Sequence, residues 1–290
     1  MQLGLVGLGR MGGNMRERLR RAGHEVVGYD HHREVSDVAS PAELIDKLSA
    51  PRVVWVMVPA GVTEETIDEL ASLMSEGDII IDGGNSKFIN DRPRAERLGK
   101  RGIGYVDAGV SGGVWGIEYG YGLMVGGADE HVQRCMPIFE ALKPEGPYGF
   151  VHAGGVGAGH YAKMVHNGIE YGLMHAYAEG YELLRASEYV DNVPAVIKAW
   201  REGTVVKSWL LDLLDRALDE DPELSGVRGY AEDTGEGRWT VEEAIRLAVP
   251  MNVIAASLFA RFTSRQENPP AMKAIAALRY QFGGHAIKKD

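Results

Sequence analysis

Residues Leu3-Gly4-Leu5-Val6-Gly7-Leu8-Gly9-Arg10-Met11-Gly12 decide the reading of this chain. A short apolar run leads directly into Gly-x-Gly-x-x-Gly. Gly7 permits the tight turn out of a strand, Gly9 lets the backbone approach a pyrophosphate, and Gly12 lets helix and strand pack closely. The backbone of Leu8, Arg10 and Met11 completes a helix N terminus that faces an anion. The motif alone is weak, and its setting is what gives it weight: a strand precedes it, a helix follows, and Asp30 closes the next strand about 20 residues on. Asp30 can accept hydrogen bonds from a ribose 2′-hydroxyl and repels a 2′-phosphate, so the expected cofactor is NAD rather than NADP. His31, His32 and Arg33 beside it read either as a solvated loop or, for Arg33, as a group that stacks on adenine and softens the discrimination.

Working outward, Leu3–Val6, Glu25–Tyr29, Val53–Val58, Ile79–Asp82 and Tyr105–Ala108 read as strands. They are too uniformly apolar for one wet face, which predicts a parallel sheet covered on both sides. Helical patterns separate them at Met15–Arg21 with Gly23 as its C′ residue, at Ser40–Leu48 with a capping serine, at Glu64–Met74 and at Asp91–Arg101. This βαβ alternation predicts a doubly wound Rossmann domain, mainly parallel. The glycine-rich run from Gly154 to Gly159 reads as a flexible linker. Beyond it the pattern is helical: one long helix over His160–Ala186, then Val193–Glu202, Val206–Leu218, Thr240–Arg261 and Pro270–Tyr280. The expected organisation is an α/β NAD-binding domain over residues 1–158 and an all-α substrate-binding and oligomerisation domain over 159–290.

Composition limits the partners. With 31 Lys and Arg against 41 Asp and Glu, the net charge is −10. Nonspecific binding to nucleic acid or anionic membrane needs a positive field, so neither partner is expected. An acidic substrate then requires a locally basic pocket. One cysteine, Cys135, allows no intramolecular disulfide. With no secretory leader or long apolar span in evidence, a cytoplasmic location is expected.

Lys163, Asn167 and Glu170 form the second constellation. At about 100° per residue, positions four and seven apart project to one side of a helix, giving one face a base, an amide and an acid. Removing hydride from an alcohol requires its hydroxyl proton to leave, and a lysine with a burial-lowered pKa can take it. Lys/Glu pairs on helices are commonly surface ion pairs. Here they lie among Met164, Val165, Ile169 and Tyr171, just past the glycines. Trp200, Trp209 and Trp239 read as core residues.

The run from Gly157 to Tyr171, GAGHYAKMVHNGIEY, resembles the signature of the 6-phosphogluconate dehydrogenases, the decarboxylating members of the β-hydroxyacid dehydrogenases. Similarity extends to Val58-Pro59-Ala60-Gly61, Asp82-Gly83-Gly84-Asn85-Ser86, Val110-Ser111-Gly112-Gly113, Arg238-Trp239-Thr240, Phe259-Ala260-Arg261 and the tail from Arg279 to His285. The length resembles the family's short form. The resemblance implies oxidation of 6-phosphogluconate at C3, loss of CO2 and protonation of the enediol to ribulose 5-phosphate. It implies Lys163 as base and then acid at the C3 oxygen, and Glu170 as the acid at C1. Asn85, Ser111, Gly112, Gly113, His166 and Asn167 would hold the substrate, and Val58, Pro59, Ala60 and Asn85 would border the cofactor. Tyr171, Arg261, Arg279 and His285 would meet the phosphate. A homodimer or homotetramer with shared active sites is implied, because in the long form the equivalent tail reaches the partner's site.

Decarboxylation of a β-keto acid needs an electron sink at the ketone, either a metal or a proton donor. No acidic metal-binding cluster stands out, so protonated Lys163 fits a metal-free route. Two stretches depart from the long form. Val114-Trp115 stands where it has two glutamates, and Thr234-Gly235-Glu236 where a phosphate-contacting lysine and threonine are expected. A 3-hydroxyisobutyrate-type dehydrogenase would share Ser111-Gly112-Gly113 and Lys163 without needing Glu170, Arg279 and His285. An imine reductase would usually lack the lysine, and a non-catalytic NAD-binding scaffold would have no use for the Lys163, Asn167 and Glu170 set.

Overall fold

A computed structural model describes residues 1–288, with the side chain of Phe282 excepted. The elements run β1 (Gln2–Val6), α1 (Arg10–Arg21), β2 (Glu25–Tyr29), α2 (Pro41–Asp46), β3 (Val53–Val56), α3 (Ala60–Leu73), β4 (Ile79–Asp82), α4 (Asp91–Gly99) and β5 (Gly104–Ser111). They continue as α5 (Gly116–Tyr119), β6 (Gly122–Gly127), α6 (Asp129–Leu142), β7 (Phe150–Gly154) and α7 (Ala158–Ala186). Five further helices follow: α8 (Val193–Trp200), α9 (Trp209–Glu220), α10 (Glu236–Leu247), α11 (Asn252–Ser264) and α12 (Pro270–Gly283). The chain divides into two compact units, Met1–His166 and the residues from Asn167 on. The boundary falls within α7.

In the first unit one seven-stranded sheet has the order β2-β1-β3-β4-β5-β6-β7. The strands from β1 to β5 pair in parallel, while β6 lies antiparallel to β5. Successive strand residues point to opposite faces. Leu3, Leu5, Trp55, Ile79 and Ile81 therefore join one core with Met15, Leu19 and Phe139, while Val6, Val54, Val56 and Ile80 join another with Leu44, Ile67 and Leu70. Burial on both faces is what made these strands legible as unbroken apolar runs. In the second unit a smaller core gathers Val193, Ile197, Leu211 and Leu218, with Trp200 and Tyr177 packed against it. Among the described residues no helix is long and apolar enough to cross a membrane.

Local signals behave as their chemistry requires. Ser40 Oγ accepts from Glu43 N at 3.1 Å, and Glu43 answers by accepting from Ala39 N, a capping pair that starts α2. Past the end of α1, Gly23 takes φ +84°, the left-handed conformation that closes a helix.

Several expectations need correction. The helix expected over 240–261 is two helices. Pro250 offers no amide hydrogen and disfavours helix at the residue before it, and Ala248 turns left-handed with φ 54°. Gly154 closes β7 and Gly159 already lies in α7, so the glycine run is a built turn rather than a flexible linker. Strands β6 and β7 and helix α6 had no counterpart in the pattern. Glycine fills three of the six β6 positions, and Pro137 interrupts the helical texture of α6. Trp209 is 47% exposed and is not a core residue.

Candidate active site

The fingerprint loop has the geometry its glycines dictate. Gly7 adopts φ +93°, and a side chain there would meet the Met57 carbonyl at 2.4 Å. A Cβ on Gly12 would fall 1.9 Å from the Gly7 carbonyl oxygen, so only glycine lets α1 start this close to β1. Around Gly9 nothing lies within 4 Å, and no side chain caps α1. Its first amides are left for an anion.

Asp30, 8% exposed, accepts from Leu8 N at 2.7 Å and from His32 N at 2.9 Å, so it also fixes the loop. Burial works to raise its pKa, but the His32 and Leu8 amides outweigh burial and hold it below the ordinary range. It is a carboxylate at neutral pH. Arg33 is exposed beside it. Val58, Pro59 and Ala60 lead from β3 into α3, with Pro59 and Ala60 exposed.

Ser111, Gly112, Gly113 and Lys163 lie on or against the C-terminal half of β5. Ser111 ends β5, and Gly112 and Gly113 follow with φ +130° and +54°, a turn that L side chains would strain. Trp115 follows, and the Val114 carbonyl accepts from Asn14 Nδ2 of α1 at 3.1 Å. Lys163 projects from the second turn of α7, half-buried. That turn lies flush on the sheet because of glycines: a Cβ at Gly109 would stand 2.3 Å from Lys163 Cβ, and one at Gly159 would stand 2.4 Å from the Met124 carbonyl. Asp107 of β5 holds the start of the helix, accepting from Gly157 N at 2.7 Å and His160 N at 3.0 Å. A buried carboxylate at a helix N terminus meets both orphan amides and the positive end of the dipole. Asn85 sits in the loop after β4, between Gly84 and Ser86, whose amide and hydroxyl both bond to Asp82.

Sequence reasoning missed this buried network. Asp82, Asp91, Asp107 and His160 are all buried, and Asp82, Asp91 and His160 stand close enough to share a cation, a cluster the sequence did not reveal. It does not fit a metal ion. The chain's own cations occupy it: Arg94 Nη1 lies 2.9 Å from Asp82, and His160 Nδ1 lies 2.9 Å from Asp91. The available signal was a lone aspartate in each of two apolar strands, Asp82 and Asp107.

In the second unit the structure joins Asn167, Tyr171, Thr234, Glu236 and Arg261. Asn167 Nδ2 donates to Glu236 Oε1 at 3.2 Å, and Thr234 Oγ1 donates to Glu236 Oε2 at 2.6 Å. The Arg261 guanidinium stacks 3.6 Å above the Tyr171 ring and donates to the Glu232 carbonyl. Glu236, which the sequence marked only as a departure from the long form, is buried and organises this corner through Asn167 and Thr234. Lys163, Asn167 and Glu170 fall at i, i+4 and i+7 of the single helix α7, and Glu170, like Lys163, is half-buried. His166 is exposed on the same helix. Arg279 is exposed on α12 and makes no ion pair among the described residues, and His285 is exposed beyond that helix.

This arrangement, a Rossmann sheet with an open fingerprint loop followed by a helical unit, defines a nicotinamide-dependent oxidoreductase. Residues 2–145 match the NAD binding domain of 6-phosphogluconate dehydrogenase, and residues 159–285 match the C-terminal domain of 6-phosphogluconate dehydrogenase. The chain belongs to the 6-phosphogluconate dehydrogenase family. It is 41% identical over 302 residues, covering all of both chains, to the NAD(+)-dependent, decarboxylating 6-phosphogluconate dehydrogenase of Haloferax volcanii. Among solved structures it resembles the Plasmodium falciparum 6-phosphogluconate dehydrogenase with TM-score 0.83 and 28% identity, over 100% of this chain and 66% of that one. It thus spans about two thirds of that long form. The Mycobacterium tuberculosis 3-hydroxyisobutyrate dehydrogenase shares the fold, with TM-score 0.70 and 20% identity over 96% of this chain and 99% of that one.

Proposed function

We propose that this chain oxidises 6-phosphogluconate with NAD and releases ribulose 5-phosphate and CO2. One observation carries the reading: Lys163, Asn167 and Glu170 share one line of α7 in a chain that aligns end to end with an NAD(+)-dependent, decarboxylating relative. We assign residues 1–158 to the cofactor and 159–290 to the substrate and to oligomerisation.

The fingerprint fits a dinucleotide, with Gly7 to Gly12 against its pyrophosphate, Asp30 toward the adenosine ribose, and Val58, Pro59, Ala60 and Asn85 toward the nicotinamide. When bound, NAD supplies the acceptor for the C3 hydrogen as hydride. Lys163, neutral on entry, takes the C3 hydroxyl proton. The lysine is then an ammonium beside a new carbonyl, and it stabilises negative charge at that oxygen while the C1 carboxylate leaves as CO2. Glu170 gives its proton to C1 of the enediol. Ser111, Gly112, Gly113, His166, Asn167 and Asn85 orient the carboxylate and hydroxyls. Preference for NAD over NADP rests on the ionised Asp30, which places like charge against a 2′-phosphate.

The substrate phosphate is assigned to Tyr171 and Arg261, with Arg279 and His285 supplied by a second copy in a homodimer or larger homo-oligomer. The exposure of Arg279 on α12 supports that assignment. The stretch Thr234-Gly235-Glu236 stands where long forms are expected to have a phosphate-contacting lysine and threonine, so the burden of phosphate binding shifts to the arginines. The single buried cysteine suits a reducing compartment, and we place the enzyme in the cytoplasm. Initial rates with 6-phosphogluconate and with 3-hydroxyisobutyrate, each with NAD and NADP, test the reading. Rapid NADH formation from 6-phosphogluconate alone is expected, and turnover of 3-hydroxyisobutyrate instead would replace it.

A further inference from the structure

We propose that the buried chain Asp82–Tyr105–Asp91–His160 is a positioning device that locks the helix carrying Lys163 to the loop carrying Asn85, with His160 as its joint. The proposal rests on the reading of Lys163 as the base.

The links are short and dry. Asp82 accepts from Gly84 N at 3.0 Å and Ser86 Oγ at 2.7 Å, so it holds the Asn85 loop from both sides. Tyr105 Oη lies 3.2 Å from Asp82 and 2.8 Å from Asp91. His160 Nδ1 meets both Asp91 oxygens, at 3.0 and 2.9 Å. His160 is 2% exposed and Asp91 0%. Its other ring nitrogen, Nε2, has no hydrogen-bond partner among the described residues, so the ring is tied through Nδ1. Lys163 follows His160 by three residues, on the next turn. Asp107 fixes where α7 starts, and His160 fixes its rotation about its own axis. A rotation of roughly 20° moves a side-chain head about 5–6 Å from the axis by roughly 2 Å. Misplacement by about 1 Å can cost on the order of 10²-fold in rate.

Charge reinforces the geometry. The charges acting on His160 are Asp91 of α4, Asp82 of β4 and Asp107 of β5, and Arg94 of α4 and Tyr105 of β5 face it across Asp82 and Asp91, to which both are bound. Burial works to lower the histidine's pKa, but the Asp91 bond and the charges of Asp91, Asp82 and Asp107 lift it to about 9. The joint is therefore a charge-assisted bond at neutral pH, and it weakens as pH rises through that value.

The test compares His160→Leu and His160→Asn with the unmodified enzyme. NAD affinity, kcat and KM are measured from pH 6 to 10, together with the rate at which an amine-specific reagent labels Lys163, read by peptide mass spectrometry. His160→Leu is expected to bind NAD within about twofold of the unmodified affinity, lose roughly 10- to 100-fold in kcat, and label at Lys163 at least about fivefold faster. His160→Asn, whose amide donates to Asp91 from the Nδ1 position, should recover most of kcat and lose the alkaline limb near pH 9. A folded His160→Leu with kcat and labelling within twofold of the unmodified enzyme overturns the proposal, as does an Asn variant that folds but rescues nothing. Should the Leu variant not fold, the Asn variant decides through the alkaline limb: its loss supports the joint, and an unchanged profile overturns it. Labelling does not depend on turnover, so a wrong substrate assignment leaves that arm intact, whereas near-normal turnover by Lys163→Met sinks the base assignment itself.

Discussion

Gly109→Ala places one methyl group where the structure has no room. The new Cβ would stand 2.3 Å from Lys163 Cβ, 2.8 Å from the Gly159 carbonyl oxygen and 3.1 Å from Lys163 Cγ. Carbon atoms sit comfortably at about 3.5–4.0 Å, so β5 and the start of α7 must part by on the order of 1 Å. Gly109 is outside the left-handed region, so alanine is not strained by its backbone and the effect is steric alone. Overpacking of this kind costs about 1–3 kcal/mol, and a shift of about 1 Å at the base costs on the order of 10²-fold in kcat. The fingerprint loop is untouched, so NAD affinity should hold. Stopped-flow hydride transfer, a fluorescence titration with NAD and a melting curve separate the three quantities. Gly180→Ala is the control, because nothing lies within 4 Å of that position on the same helix. If Gly109→Ala folds and transfers hydride within threefold of the unmodified enzyme, the close seating of Lys163 on β5 is irrelevant to catalysis and the reasoning fails.

Lys163→Met should abolish oxidation while binding NAD almost normally, whereas Glu170→Gln should slow C1 protonation by roughly 10²–10⁴-fold, measured as enediol build-up or tritium wash-in. Asp30→Ala should narrow the NAD over NADP ratio in kcat/KM, and it should also weaken NAD because the Leu8 and His32 amides lose their acceptor; comparable kcat/KM for both cofactors in the unmodified enzyme would contradict the role given to Asp30. His160 has a folded pKa of about 9, raised above its unfolded value. Its contribution to stability is present in full below about pH 6.5 and lost as pH rises through about 9, so melting temperature should fall over that window in the unmodified enzyme and much less in His160→Asn. Inactive Lys163→Met and Arg279→Ala proteins should regain some activity when their subunits exchange, because one class of shared site then carries both intact residues, and continued inactivity after proven exchange would refute tail sharing.

The parallel half of the fold was legible because burial on both faces writes strands such as Val53–Val56 and Ile79–Asp82 as unbroken apolar runs. Gly7 and Gly12 were equally legible, each answering a separate backbone demand that the structure meets within one turn. What stayed hidden is long-range. Asp91 and His160 are 69 residues apart, and no local pattern pairs them. Strand β6 was lost because half its residues are glycine, and those glycines serve packing: a Cβ at Gly126 would strike Asp107, the carboxylate that starts α7. The Glu236 corner was hidden for a similar reason, since its burial depends on Asn167 and Tyr171 from a distant helix. The candidate catalytic pair was visible as helical spacing, but the groups that hold Lys163 in place were not.

The central claim is that Lys163 and Glu170 serve one oxidative decarboxylation. It is tested most directly by supplying 6-phosphogluconate labelled with carbon-13 at C1, together with NAD, and measuring all three products. The account predicts NADH, labelled CO2 and ribulose 5-phosphate in equal amounts, with all three lost together in Lys163→Met. NADH formed without labelled CO2, or no NADH from this substrate while another β-hydroxyacid is oxidised, would contradict it.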